Sequence, residues 1–118
     1  MNSHKRREYM EPATDYRLVL TTIDNYERAR QIARTLVSEQ LAACCNIIPG
    51  LTSIYSWGNT VHEDSEFLIL IKTSRWLLKS VEQRIRELHT YEVPEIVGAG
   101  TEEISLPYLE WMRKSLQQ

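Results

Sequence analysis

His89 is followed closely by Glu92 and Glu95, an imidazole with two carboxylates on one short stretch. Such a set could hold a divalent ion, and only weakly, since one ring nitrogen and two carboxylates leave the shell incomplete. The plainer reading is a surface histidine at a helix C-terminus, where its positive form is favoured. His62 reads as a solvated hairpin residue, and His4 sits in a polar tail and carries no signal. Cys44 and Cys45 are adjacent. Neighbours on a strand point to opposite faces, so a shared ion or a mutual disulfide is not expected, and each reads as a small apolar residue. No Ser-His-Asp or Cys-His arrangement, paired-carboxylate motif, P-loop or GxGxxG fingerprint is legible. The chain is therefore not expected to be an enzyme.

The elements that must position these groups fit one domain. The chain has 118 residues and a formal net charge of −2. That length allows a single core, and the slightly acidic balance argues against a nucleic-acid partner. The longest apolar run, Phe67 to Ile71, is far short of the roughly 20 residues that span a bilayer, so no membrane partner is expected. Lys5, Arg6 and Arg7 have no apolar stretch after them and do not read as a signal peptide. Residues 1–14 read as a disordered polar tail and 15–118 as the domain. With no disulfide framework, a cytoplasmic location is expected.

Tyr16 to Ile23 reads as a first strand. Asp24 with Glu27 has the form of a helix cap and its reciprocal partner, and Ala29, Ile32, Ala33, Leu36 and Val37 recur at helical spacing to an end near Gln40. The stretch from Glu39 to Trp57 then runs through β-branched and apolar residues, far longer than an ordinary strand. Its Pro49-Gly50 pair suits either a type II turn or a bulge in one continuous strand, and composition does not decide. Gly58-Asn59 makes a tight turn into a returning strand, Thr60 to Thr73, whose centre is apolar on both faces and suits cover on each side. Ser74 is placed to cap a second helix carrying Leu78, Val81, Ile85 and Leu88, ending near His89. Tyr91 to Glu95 reads as extended, Ile96 to Thr101 as a weak fourth strand, and Pro107 opens a last short helix. The order gives an α+β, ferredoxin-like βαββαβ fold plus a C-terminal helix. A long apolar strand overhanging so small a core invites pairing with another chain.

Leu41-Ala42-Ala43-Cys44, Ile48-Pro49-Gly50, Ser53 to Trp57, Ile71-Lys72-Thr73, Tyr91 to Glu95 and Tyr108 to Trp111 occur in order. On these motifs the sequence resembles the CutA divalent-ion tolerance family, from about Tyr16 to Leu116. The resemblance implies a cytoplasmic homotrimer with strands paired between subunits. It implies a single bent strand at Pro49-Gly50, hence a long bent β-hairpin. There are departures: Asn59 where glycine is common, His89-Thr90-Tyr91 for His-Pro-Tyr, Ile104 for a loop glycine, and Gly98 with Gly100 on one bare strand face.

Metal binding is what the resemblance implies for function, with Cu(II) or another divalent metal as the ion. Some family members supply a cysteine and two adjacent histidines; the matching positions here are Thr21, Leu88 and His89, so two of three ligands are missing. Tyr55, Trp57, Lys72, Tyr91, Tyr108 and Trp111 lie in the family motifs and are expected near clefts between subunits. There they form either interface core or a pocket for a small anion beside Lys72. The first expectation is a trimer linked to divalent-metal (copper) tolerance with weak or indirect ion binding. The rivals are a small-molecule sensing or signalling trimer, similar in architecture to PII proteins, and a structural trimer anchoring a partner protein.

Overall fold

The computed structural model describes residues 10–117. The strands are β1 (Met10–Pro12), β2 (Tyr16–Ile23), β3 (Cys44–Trp57), β4 (Thr60–Ser74), β5 (Val97–Gly100) and β6 (Glu103–Ser105). The α-helices are α1 (Tyr26–Ser38), α2 (Leu78–Leu88) and α3 (Leu106–Ser115). One antiparallel sheet has the order β3-β4-β2-β5, and β1 pairs with β6 in a second, small sheet. Of the tail expected over residues 1–14, Met10–Pro12 is a strand, and Ala13 is buried with its N–H on the Glu102 carbonyl. The remainder of that tail lies outside the described residues.

β2 forms over the expected residues because its β-branched and leucine-rich alternation offers one face to a core. Val19, Thr21 and Ile23 are buried there with Ile69 and Ile71 of β4, beneath α1 and α2. α1 presents Ala29, Ile32, Ala33 and Leu36 to that core, and α2 presents Val81 and Ile85. Val37, expected inside, is 40% exposed, because it sits at the margin of the apolar stripe. The helix cap is Asn25 rather than Asp24: its side-chain oxygen accepts from the Arg28 N–H at 2.9 Å, so no capping box forms with Glu27. Ser74 makes no side-chain cap; a 3₁₀ turn, Arg75–Leu77, leads into α2 instead.

Pro49-Gly50 does not turn the chain. β3 runs on through it, and a register shift between Ile48 and Leu51 inserts a bulge opposite β4. Gly50 has φ 80°, a left-handed angle that glycine takes without a Cβ clash. At the hairpin tip Gly58 and Asn59 both have φ 60°, as a two-residue type I′ turn needs. The hairpin draws the molecule out to 59 Å along its longest axis against 26 and 21 Å across.

Cover on both sides of β4 was expected, and one chain supplies it on one side only. Paired residues share a face, so rows can be read across the sheet. Away from α1 and α2 lie the rows Cys44-Lys72-Leu18-Ala99, Asn46-Leu70-Leu20-Val97 and Ile48-Leu68-Thr22. α3 covers only one end of this face, where Leu109, Met112 and Leu116 pack on Ala13, Tyr16 and Ala43. Leu18, Leu20, Leu68 and Leu70 are left half-buried, and Ile48 and Val97 exposed.

Candidate functional site

At the other end of that uncovered face the hairpin and the loop after α2 enclose a cleft of about 940 Å³. Its acidic lining is Asp24, Asp64, Glu66, Glu92 and Glu95, and among the described residues no lysine or arginine lines it. β4 positions Asp64 and Glu66 on one face, two residues apart, and β3 brings Tyr55 and Trp57 beside them. The Tyr91 hydroxyl donates to Glu66 Oε2 at 2.6 Å, and the Tyr55 hydroxyl donates to Asp64. Glu66 is only 6% exposed.

Both phenols are held in their neutral form. Burial first, then the hydrogen bond to Glu66 and the charges of Glu66, Asp24 and Asp64, push the Tyr91 phenol above its ordinary range. For Tyr55 the hydrogen bond to Asp64 leads the upward shift. His62 stacks on Tyr55 with ring centroids 5.4 Å apart, and its Nε2 lies 3.2 Å from the Trp57 carbonyl oxygen.

The expected aromatic and basic group divides in two. Tyr55, Trp57 and Tyr91 line the acidic cleft. Lys72, Tyr108 and Trp111 form a separate cluster at the α3 end, with Lys72 Nζ 3.4 Å from the Tyr108 hydroxyl and 5.4 Å from its ring centre. Tyr108 and Trp111 are 5.3 Å apart, centroid to centroid. Sequence reasoning missed Asp24, Asp64 and Glu66. The signal for Glu66 was available: it is an acid on the strand face that continues through Leu68 and Leu70.

His89 is buried rather than at the surface, and both its ring nitrogens are engaged. Nδ1 accepts from the Tyr91 N–H at 3.0 Å, so Nε2 carries the proton and donates to the Thr22 carbonyl at 2.7 Å. Glu92 and Glu95 are exposed on the loop beyond. Thr21, at the position of the family cysteine, keeps a buried hydroxyl with no partner among the described residues. Leu88 offers no donor atom. This set does not fit a copper centre, and among the described residues no three His, Cys, Asp or Glu side chains gather closely enough to hold a metal ion.

Cys44 and Cys45 take opposite faces, as alternation requires. Cys45 packs against the main core, and burial, with a smaller contribution from neighbouring Cys44, pushes its thiol up to about 12. Cys44 faces the uncovered side, opposite Lys72.

The fold and cleft define a small α+β protein with one helix-covered sheet, a long bent hairpin and an acidic, aromatic recess. The chain belongs to the CutA1 divalent ion tolerance protein family, whose model matches residues 17–115. It is 48% identical over 98 residues to the divalent-cation tolerance protein CutA of Thermus thermophilus, covering 83% of this chain and 95% of that one. Against human Protein CutA it is 43% identical over 93 residues, 79% of this chain. There it spans 52% of the relative's length, about half. The solved Thermus thermophilus structure superposes with a TM-score of 0.84 at 46% identity, covering 86% of this chain and 99% of that one.

Proposed function

We propose that three copies assemble on the uncovered sheet face, and that the trimer serves divalent-metal tolerance without enzymatic chemistry and without a dedicated copper centre in any one chain. The observation that carries this is the face itself. Leu18, Leu20, Leu68, Leu70, Ile48 and Val97 form a continuous apolar surface that no helix covers among the described residues, and contiguous apolar surface of this kind marks an interaction site. The long edge strand β3 adds unpaired backbone groups beside it. The number three follows from the family resemblance, and the ferredoxin-like reading from the order of the elements. Two free thiols without a disulfide fit a cytoplasmic setting.

Ion contacts are then weak or indirect, since His89 has no free nitrogen. Sedimentation velocity tests the assembly, with a trimer mass at micromolar protein expected and a folded single chain overturning it. Calorimetry with Cu(II) on wild type and His89→Ala tests the metal reading. Equal heats are expected, and loss of heat in the variant would restore His89 as a ligand. A second reading, small-molecule sensing, is favoured by the size of the cleft, which lies within the usual range for ligand sites.

A further inference from the structure

Among the described residues the chain holds two separate apolar clusters. The main core lies between the sheet and helices α1 and α2, and no residue of α3 enters it. The second cluster joins Leu109, Met112 and Leu116 to Ala13, Tyr16 and Ala43, and only Leu77 borders both. α3 has ten residues, and a helix of that length is marginal alone in water. Its order therefore depends on this seat. The seat is completed from the other end of the chain. β1 pairs with β6 directly ahead of α3, with Met10 opposite Ser105 and Pro12 opposite Glu103. Ala13 is 3% exposed within the cluster. Its N–H donates to the Glu102 carbonyl at 2.8 Å, and its own carbonyl accepts from Thr101 Oγ1 at 2.7 Å. Met10 to Ala13 lie ahead of residue 17, where the match to the family model begins. The far end of α3 is tied by Gln117, whose N–H donates to the Gln40 carbonyl at 2.9 Å.

We propose that Met10–Ala13 is a strap, and that β6 with α3 is a lid which the strap holds over one end of the uncovered sheet face. With the strap in place, α3 covers Tyr16 and Ala43. Drawing the strap out removes Ala13 from the seat and breaks the ladder that orients β6. α3 then undocks and frays while the main core stays folded, as a unit with few apolar contacts of its own does. The start of the described chain is thereby coupled to its last helix. A protease or partner that takes Met10–Ala13 off β6 opens the lid and enlarges the apolar face. The device works within one chain and does not depend on the number of copies.

Amide hydrogen exchange on the full chain tests this. Ala13→Asp puts a charge into the seat and drives the strap out. Exchange at residues 109–116 is expected to rise about thirtyfold or more, with the amides of β2, α1 and α2 within about twofold of wild type. Thr101→Val keeps the side-chain shape and removes the bond to the Ala13 carbonyl, so the same amides should speed up by about fivefold. The strap can also be locked. Ala13 and Glu102 are a hydrogen-bonded pair, so Pro12 and Glu103 beside them are the closer, non-hydrogen-bonded kind, within disulfide reach. Pro12→Cys with Glu103→Cys, in a Cys44→Ser, Cys45→Ala background, should exchange more slowly at 109–116 when oxidised than when reduced.

Wild-type exchange at 109–116 in both single variants overturns the strap. So does a locked form that exchanges alike oxidised and reduced. A rise shared equally by β2 and α1, or loss of the whole fold in Ala13→Asp, also overturns it, since the lid would then belong to the main core.

Discussion

His89 Nε2 donates to the carbonyl oxygen of Thr22 across 2.7 Å, tying the end of α2 to the last residues of β2. With Nδ1 accepting from the Tyr91 N–H, the ring acts as a brace between helix, strand and the loop that walls the cleft. His89→Ala leaves a buried carbonyl and a backbone N–H unpaired. It is expected to cost about 2–3 kcal/mol of stability in urea unfolding. An unchanged midpoint would show that the ring is solvated.

Thr21 tests the reverse case. Its residue is fully buried, at 0% exposure, and its hydroxyl has no partner among the described residues. Thr21→Val removes that polar group and keeps the shape, so stability should rise by about 1 kcal/mol or stay level. A clear loss would reveal a bound water or a partner at Oγ1.

The two substitutions show where sequence pattern ran out. Alternation and helical spacing fixed β2 and both main helices, because those signals are local, whereas the run of β3 through Pro49-Gly50 is left open by composition and comes from the family resemblance. Caps depend on single residues: Asp24 and Asn25 are both capable by type, and Asn25, in extended backbone, is the one that caps. The pairing of Met10–Pro12 with Glu103–Ser105 is non-local and carries no short-range signal. At the site, His89 and the cleft aromatics were legible as types. The burial of Glu66 and the separation of Lys72 from Tyr91 required the register of β4.

Trp57 addresses assembly. In the isolated chain its ring is 59% exposed, beside Ile54 at 63% and Val61 at 70%. Trp57→Ala should therefore leave the chain's own fold intact and weaken assembly by about 2 kcal/mol or more, as interface tryptophans do. Light scattering on a dilution series reads this. An intact trimer at low concentration would place the ring in solvent.

Gly98 and Gly100 lie on the helix side of β5, and a Cβ added at either meets nothing within 4 Å. Among the described residues no backbone lies close against that bare face. Gly98→Ala is expected to stabilise by about 0.4–1 kcal/mol through the unfolded state. Loss of assembly with a stable chain would instead mean that a second copy's backbone lies against this strand.

Alkaline pH should destabilise the fold through Cys45 and Tyr91 in turn. Burial raises the Cys45 thiol from its ordinary 9.0 to about 12. Tyr91 is raised from its ordinary 10.0 by burial and by Glu66. In each case the fold favours the protonated form. The contribution is therefore complete below the unfolded value and is lost as pH climbs toward the folded one. For Cys45 that window runs from pH 9 to about 12; for Tyr91 it opens at pH 10. Cys45 contributes at most about 1.4 kcal/mol per pH unit inside its window, and Tyr91, which is more open to water and so more screened, contributes less. Urea midpoints measured from pH 8 upward should hold level and then fall. Cys45→Ala should flatten the early part of the decline and Tyr91→Phe the later part. If Cys45→Ala keeps the wild-type slope above pH 9, the thiol is open to water and does not pack on the main core as described.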